Sequence, residues 1–182
     1  MHDDLETILI DRDSIAERIE VLAGALERDL RSRVEDQDLI VLPIMTGSVV
    51  FMADLMRHLP IPFRIEPVRA ISYVGETTVA TQPVEVEGFH PESIEGSHVL
   101  IVDDVLDSGR TIACLRKMAE EAGAASVMVC VLLRKETAPD VPCEYIGFDI
   151  PDEFVVGYGL DYNGLYRNLP DIAVLSPDVY RS

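Results

Sequence analysis

The chain has 182 residues, of which 48% are hydrophobic and 26% charged, and its formal net charge is −18. This length and apolar content predict one folded domain with a substantial core and argue against a disordered chain. The acidic balance disfavours nucleic acid and membranes as partners, because both are anionic. There is no apolar run of membrane-spanning length, no signal-peptide pattern at the N-terminus and no C-x-x-C pair among the three cysteines. We therefore expect a cytoplasmic protein with reduced cysteines.

The first elements predicted along the chain are a short strand and an amphipathic helix. Leu5 to Ile10 is apolar enough for a strand, and apolar residues recur at helical spacing from Ile15 to Leu30. Ser14 and Glu17 are spaced as a capping box, which predicts Ser14 as the N-cap of this helix. No chemistry is assigned to these elements.

A second strand, Leu39 to Met45, is followed by the small-residue turn Thr46-Gly47-Ser48 and by a helix to about His58. A strand, a turn of small residues and a helix together form an anion-binding arrangement, because the backbone N–H groups at the helix start point outwards. An ordinary strand-to-helix turn is the alternative.

The next predicted strand, Phe63 to Ser72, carries Arg69 as a candidate brace for the site. From Ser72-Tyr73 to about Gln82 the chain is rich in Gly, Thr and Ser, and Val84 to Val86 follows as a further strand. The intervening segment is either a plain hairpin loop or a lid that excludes water from a reacting centre.

Residues 99–112, Val-Leu-Ile-Val-Asp-Asp-Val-Leu-Asp-Ser-Gly-Arg-Thr-Ile, are the most informative stretch. Four branched apolar residues predict a buried strand, and the turn Asp107–Thr111 then opens a helix. Such a turn is typical of a phosphate site. The carboxylates of Asp103 and Asp104 suit sugar hydroxyls or a metal, so the stretch predicts a site for a ribose phosphate. A capped helix after a buried strand is the simpler alternative.

The second half of the chain continues the alternation of helices and strands. Gly123 is predicted to end the helix that follows the turn, and Ser126 to Leu132, Cys143 to Phe148 and Ile172 to Leu175 are predicted strands. The alternation predicts a parallel α/β sheet with right-handed crossovers. Lys135 follows a strand's carboxyl end, where open sheets bind ligands, although most lysines are merely exposed.

The stretch from Pro151 to Pro170 contains further candidate ligand groups. Phe154 can stack on a base while the backbone of Val155 reads its edge. Asp161 and Arg167 lie in a loop rich in Gly and Tyr and could hold a metal and a phosphate, respectively. A hairpin closed by a surface salt bridge is the alternative.

Several of these stretches resemble motifs of one family. Residues 99–112 resemble the phosphoribosyl-diphosphate signature of type I phosphoribosyltransferases. Residues 43–55 resemble the pyrophosphate loop of hypoxanthine-guanine phosphoribosyltransferases. Residues 154–162 and 166–170 resemble the carboxyl-terminal signature of hypoxanthine-guanine phosphoribosyltransferases. With Lys135, the similarity covers most of residues 39–175 in the family's order and spacing.

The resemblance implies an α/β fold of the type I phosphoribosyltransferases, with a mostly parallel central sheet flanked by helices and a small hood built from the chain termini. It implies a single domain over residues 1–182, with a core of about 36–150 and a hood from about 1–12 and 151–182. The implied activity is purine salvage with Mg²⁺: the 5-phosphoribosyl group of phosphoribosyl diphosphate is transferred to hypoxanthine or guanine, giving IMP or GMP and pyrophosphate. The implied assembly is a homodimer or homotetramer.

The resemblance also implies a role for each motif residue. Asp107 would be the general acid or base near N7 of the purine, and Lys135 the donor to its 6-oxo group. Phe154 would stack on the ring, and the backbone of Val155 would read its exocyclic position. Ser108, Gly109, Arg110 and Thr111 would bind the 5′-phosphate, and Asp103 and Asp104 would bind the ribose hydroxyls and Mg²⁺. Asp161 would bind a second Mg²⁺, and Thr46, Gly47 and Arg167 would bind pyrophosphate. Ser72 and Tyr73 would belong to the lid.

Thr46 departs from the family's pattern, in which a lysine commonly precedes the glycine and the peptide bond between the two is often cis. Because threonine carries no charge, we expect the backbone N–H groups of Gly47 and Ser48 to contribute more to anion binding. Two rival functions stay open: a xanthine-preferring enzyme, and an RNA-binding regulator on the same scaffold. Asp107, the acidic charge and the purine-type tail disfavour the regulator.

Overall fold

The structure is a computed structural model that describes residues 4–34, 37–71 and 84–180. Ser72 and Tyr73, the predicted head of a lid, lie outside the described residues. The strands are β1 (Leu5–Ile10), β2 (Leu39–Met45), β3 (Arg64–Ile65), β4 (Val68–Ile71), β5 (Glu85–Glu87), β6 (His98–Leu106), β7 (Ser126–Lys135), β8 (Tyr145–Ile150), β9 (Val155–Val156) and β10 (Ile172–Leu175). The helices are α1 (Arg12–Arg31), α2 (Val49–Leu55), α3 (Pro91–Ile94), α4 (Arg110–Glu121) and α5 (Pro177–Tyr180). A 3₁₀ turn, Met56–His58, extends α2.

The central sheet has the strand order β5-β4-β2-β6-β7-β8, with β3 also paired to β2. All pairs are parallel except β4 with β5, so the predicted mostly parallel sheet is confirmed. Strands β2, β6 and β7 are buried along most of their length because consecutive residues are apolar, so that both faces of each strand carry apolar side chains. Along β6, Leu100 and Val102 pack with residues of α1 and α2, whereas Val99 and Ile101 pack with residues of α4.

A second, antiparallel sheet of three strands joins the two ends of the chain in the order β1-β10-β9. Ile10 faces Ile172 in this sheet, and Val174 faces Val155. The sheet therefore holds β10 between the N-terminal strand and β9, the first strand after β8. We call this sheet with α5 the hood; the residue limits given above for core and hood stay a prediction.

The structure corrects several predicted boundaries. Helix α1 begins at Arg12 because Asp11 is its N-cap and accepts the backbone N–H of Ser14 at 2.8 Å, so the prediction of Ser14 as the cap was wrong. The predicted strand from Phe63 is split into β3 and β4, with Pro67 between them, which lacks an N–H group for strand pairing. No helix among the described residues is long and apolar enough to cross a membrane.

Candidate active site

The predicted acidic pair lies inside β6, which runs on to Leu106 instead of ending before the pair. Asp103 is only 8% exposed. Its Oδ1 accepts the N–H of Asp104 at 3.0 Å, and Oδ1 of Asp104 accepts the N–H of Val105 at 3.0 Å. Because β2, β6 and β7 are parallel, this pair lies at the same sheet edge as Thr46 and Lys135.

Burial raises the pKa of both carboxyl groups. For Asp103, burial is the main cause and the negative charge of Asp104 adds to it, so the pKa lies well above its usual range. Burial also raises the pKa of Asp104, although its hydrogen bonds and the positive charge of Arg167 act in the opposite direction. Two adjacent buried carboxylates form a strongly negative position that favours a cation.

Gly47 is the point at which three parts of the site meet. A Cβ atom at Gly47 would lie 1.8 Å from Oδ2 of Asp104, so the carboxylate occupies the space that any other residue's side chain would need. On the opposite part of the site, a Cβ at Gly159 would lie 2.3 Å from the carbonyl oxygen of Gly47. Gly159 has a φ of +102°, a backbone conformation that favours glycine. The two glycines thus allow β6, the Thr46-Gly47-Ser48 turn and the segment after β9 to touch.

The Thr46-Gly47-Ser48 turn presents fewer free donors than expected. Ser48 is fully buried, and both its hydroxyl group, at 2.7 Å, and its N–H, at 3.4 Å, donate to the carbonyl oxygen of Ile44. The Ser48 N–H is therefore engaged within the fold, which corrects the expectation that it faces an anion. Among the described residues, no hydrogen-bond partner is found for the Gly47 N–H, and Thr46 is exposed. The cis peptide bond is Met45–Thr46, one bond earlier than the resemblance implied.

The predicted phosphate turn lines a small cleft of about 70 Å³ between β6 and α4. Gly109 is the N-cap of α4 with a φ of +68°, and a Cβ there would lie 2.6 Å from a methyl carbon of Val141. Glycine is therefore required both by the backbone conformation and by the space. The cleft-lining residues from the prediction are Asp103, Asp107, Ser108, Gly109, Arg110 and Thr111.

A larger cleft of about 200 Å³ adjoins the phosphate turn. It brings together six predicted site residues: Asp104, Asp107, Lys135, Phe154, Val155 and Asp161. The Nζ atom of Lys135 lies 3.4 Å from Oδ2 of Asp107 and 3.0 Å from Oδ1 of Asp152. Burial lowers the pKa of Lys135, but Asp152 and Asp107 outweigh it, so the pKa is raised and the ammonium group stays charged.

The ring of Phe154 is supported by two tyrosines. Tyr180 stacks on it with ring centroids 5.2 Å apart and an angle of 25°, and Tyr162 meets it edge-on at 5.6 Å. Tyr180 does not line the 200 Å³ cleft, to which Phe154 contributes. The ring is thus fixed in place by its neighbours and available to a planar ligand.

Arg167 and Asp161 contact each other. Nη2 of Arg167 lies 2.6 Å from Oδ1 of Asp161, and its Nη1 donates to the carbonyl oxygen of Gly159 at 2.6 Å. The salt bridge of the alternative interpretation is therefore present, in a partly buried position close enough to Asp104 for Arg167 to lower the pKa of that carboxyl group. Arg69 is exposed and lies in register with Met45, next to the Thr46-Gly47-Ser48 turn.

Comparisons with known proteins decide the family. Residues 11–163 match the phosphoribosyl transferase domain family. The hypoxanthine-guanine phosphoribosyltransferase of Mycobacterium tuberculosis is 39% identical to the chain over 182 residues, covering 98% of this chain and 90% of the relative. The chain belongs to the hypoxanthine-guanine phosphoribosyltransferase family. This confirms the resemblance and the predicted fold class.

Further relatives of this family agree over nearly the whole chain. The hypoxanthine-guanine phosphoribosyltransferase of Bacillus subtilis is 35% identical and covers 100% of this chain and 99% of its own length. A solved structure of Trypanosoma cruzi hypoxanthine phosphoribosyl transferase has a TM-score of 0.90 at 36% identity, covering 100% of this chain and 96% of that chain. A second T. cruzi structure, in complex with the product IMP, has a TM-score of 0.88 at 35% identity, covering 100% and 95%.

Membership of the hypoxanthine-guanine phosphoribosyltransferase family fits a requirement for a divalent metal, and the donor set of the site fits one as well. Asp103, Asp104 and Asp161 offer carboxylate oxygens, the ligand atoms that hard divalent cations prefer. Within the described part of the chain, no three His, Cys, Asp or Glu side chains converge on one point. A metal here would therefore need substrate or water oxygens to complete its coordination, as Mg²⁺ commonly does in phosphate sites.

Three residues that the sequence did not single out contribute to the site. Asp152 pairs with Lys135, Tyr180 stacks on Phe154, and Leu160 lines the larger cleft. Asp152 directly precedes the Glu-Phe pair in the carboxyl-terminal motif, so its proximity to Phe154 is a signal that could have been used. No local pattern marks Tyr180, because its contact depends on the fold of the hood.

Proposed function

We propose that this protein transfers the 5-phosphoribosyl group from phosphoribosyl diphosphate to hypoxanthine or guanine, giving IMP or GMP and pyrophosphate. One observation carries this proposal: Asp107 of the phosphate turn and Lys135 face each other across 3.4 Å in a cleft that Phe154 also lines. A phosphate turn and a base-sized cleft with a cationic donor are thus continuous, as a nucleotide product requires.

Base selection would rest on Lys135 and Phe154. The charged Nζ atom of Lys135 only donates hydrogen bonds, so it suits the 6-oxo group of hypoxanthine or guanine and not the 6-amino group of adenine. Phe154, held by its tyrosine neighbours, would stack on the purine ring. The backbone of Val155 would read the exocyclic position of the base, where hypoxanthine, guanine and xanthine differ.

The phosphoribosyl group would lie along β6 and the turn after it. Asp103 and Asp104 would bind the ribose hydroxyls, and the residues from Ser108 to Thr111 would hold the 5′-phosphate through backbone and hydroxyl donors. Arg167, Arg69 and the Thr46-Gly47 turn would bind the diphosphate. Mg²⁺ held by Asp161 and by the Asp103–Asp104 pair would, when bound, neutralise charge on the leaving diphosphate.

In the reaction, a purine nitrogen forms a bond to C1 of the ribose while the bond from C1 to the diphosphate oxygen breaks. The ribose becomes cationic as this bond breaks, and the neighbouring carboxylates stabilise that charge. Asp107 accepts the proton that the purine loses, while the guanidinium group of Arg167 stabilises the departing diphosphate. We also propose a cytoplasmic homodimer or homotetramer.

The proposal is tested by steady-state phosphoribosyl transfer with Mg²⁺, comparing hypoxanthine, guanine, xanthine, adenine and uracil. We expect turnover with 6-oxopurines alone, and a loss of roughly 10²- to 10⁴-fold in kcat/KM for Asp107→Ala, as for removal of a general acid or base. Glu20→Ala, an exposed change on α1, is the matched control and should leave the rates unchanged. Turnover with adenine or uracil, or none with any base, would contradict the proposal; a strong preference for xanthine would correct the substrate.

A further inference from the structure

A side-chain hydrogen bond joins the segment after β9 to helix α2. Oη of Tyr158 donates to Oδ2 of Asp54 at 2.5 Å, across 104 positions of the chain. Tyr158 is 7% exposed and has a φ of +51°, which is uncommon for a residue with a large side chain. Asp54 lies in the last turn of α2 and also pairs with Arg57. Burial and the carboxylate raise the pKa of the Tyr158 hydroxyl, so it remains a donor.

The segment that Tyr158 belongs to carries the predicted diphosphate and metal groups. The N–H of Tyr158 donates to the carbonyl oxygen of Leu169, and the N–H of Gly159 donates to that of Arg167. The guanidinium group of Arg167 in turn donates to the carbonyl oxygen of Gly159 and pairs with Asp161. A shift of Tyr158 would therefore move the backbone that positions both charged side chains.

Helix α2 carries the other part of the diphosphate site. The helix begins directly after the Thr46-Gly47-Ser48 turn, with Ser48 as its N-cap. Gly159 packs against this part of the chain: a Cβ there would lie 2.3 Å from the carbonyl oxygen of Gly47 and 3.6 Å from Cβ of Val50. The bond between Tyr158 and Asp54 is thus a second connection between the same two elements, one helix length from the turn.

We propose that Tyr158 and Asp54 are positioning residues whose hydrogen bond aligns Arg167 and Asp161 with the Thr46-Gly47 turn for the diphosphate of the substrate. This inference rests on the proposed function. The alignment is important here because Thr46 supplies no charge to the turn, so the diphosphate depends more on Arg167. Neither Tyr158 nor Asp54 lines the cleft that contains Lys135 and Phe154, so the loss of their hydrogen bond should affect phosphoribosyl diphosphate more than the base.

The test compares the KM for phosphoribosyl diphosphate with the KM for hypoxanthine in Tyr158→Phe and Asp54→Ala. A hydrogen bond to a charged acceptor is strong enough for its loss to weaken binding by roughly five- to tenfold. We expect this rise in the KM for phosphoribosyl diphosphate and less than a twofold change for hypoxanthine. The double variant should resemble either single one, because both remove the same bond. Asp54→Asn should restore near-normal values, since its amide oxygen still accepts.

The chain offers a matched control in Tyr145, whose Oη donates to Oδ2 of Asp29 at the same distance, 2.5 Å. Tyr145 is also buried, at 9% exposure, and lies at the start of β8, five residues before the strand end that pairs with Lys135. Tyr145→Phe removes the same kind of bond between a helix and the body of the protein. We expect it to lower the thermal midpoint while leaving both KM values unchanged.

Each outcome decides the inference. An unchanged KM for phosphoribosyl diphosphate, an equal rise in both KM values, or the same kinetic change in Tyr145→Phe would overturn it. If Tyr158→Phe does not fold, Asp54→Ala decides, because the Asp54 side chain is 32% exposed and alanine suits a helix. Calorimetric binding of phosphoribosyl diphosphate is measured in parallel and does not need turnover. A wild-type protein that binds it but turns over no base would therefore contradict the proposed function while still testing the bond.

Discussion

Replacement of Asp103 by Asn should stabilise the metal-free protein at neutral pH. Asp103 is 8% exposed and adjoins Asp104, and its pKa is raised well above the ordinary value of 3.8 by burial and by that neighbour. Asparagine has nearly the same shape, and its Oδ1 can still accept the N–H of Asp104. The substitution thus removes a buried charge while keeping the hydrogen bond.

The sign of the pH dependence follows from the direction of the shift. A carboxyl group with a raised pKa holds its proton more tightly in the folded state than in the unfolded chain, so the free energy of unfolding falls as the pH rises above about 4 towards the folded-state pKa. The Asn variant lacks this loss. The difference in the free energy of unfolding between the Asn variant and the wild type should be absent near pH 4. It should grow as the pH rises to the folded-state pKa and stay constant at higher pH.

The expected magnitude is a fraction of the cost of burying a charge. A buried ion costs several kcal/mol after relaxation, and the hydrogen bond from the backbone N–H of Asp104 offsets part of this, which leaves about 1–2 kcal/mol. For a protein of this size that is a rise of roughly 2–8 °C in Tm. The assay is thermal unfolding in a chelator at several pH values, with exposed Asp140→Asn as the control, which should show no such trend. An advantage that is independent of pH, or a variant less stable than the wild type at pH 7, would refute the reasoning.

Three further substitutions test the geometry of the site. Thr46→Lys should bind pyrophosphate several-fold more tightly, since an ammonium group about 4 Å from a diphosphate oxygen at this exposed position gains about 1 kcal/mol. The KM for hypoxanthine should stay unchanged, and equal effects on both would count against the loop assignment. Gly47→Ala should fold but lose roughly 10²-fold in kcat/KM, because its Cβ would displace the Asp104 carboxylate; near-normal rates would contradict the close contact. Tyr180→Leu should raise the KM for hypoxanthine by roughly two- to tenfold, because it removes the aromatic ring that stacks on Phe154. Tyr180→Phe keeps the ring and should leave this KM unchanged. A change in the KM for phosphoribosyl diphosphate instead would disagree with the stacking arrangement.

The parts of the fold that the sequence predicted are those set by local patterns. Apolar runs such as Val99 to Val102 mark strands that are buried on both faces, and the predicted end of the following helix at Gly123 is confirmed, since this residue has a φ of +82°. Boundaries were less predictable where two signals compete. Asp11 and Ser14 are both good caps, and only the structure shows that the helix includes Ser14.

The candidate site was predictable to the extent that parallel strands place their carboxyl ends at one edge. This rule brings Asp104 and Lys135 to one cleft, because β6 and β7 are neighbours. The contacts that join distant segments were not predictable. The pairing of Tyr158 with Asp54 depends on how the segment after β9 packs against α2. The contact of Asp104 with Gly47 depends on how far β6 extends beyond its apolar residues. Neither contact is marked by a local sequence pattern.

The acidity of the chain and its proposed anionic substrate are compatible because of how the cations of the site are held. Lys135 pairs with Asp107 and Asp152, and Arg167 pairs with Asp161, so these charges are already oriented and partly shielded from water by carboxylates. A diphosphate that binds Arg167 would replace one anionic partner by another, which costs less than ordering a free side chain, and the 6-oxo group of a base would likewise meet an ammonium group that is already oriented. The carboxylate released from Arg167 is Asp161, a proposed metal ligand. Diphosphate and a divalent metal would thus each take one member of the Asp161–Arg167 ion pair.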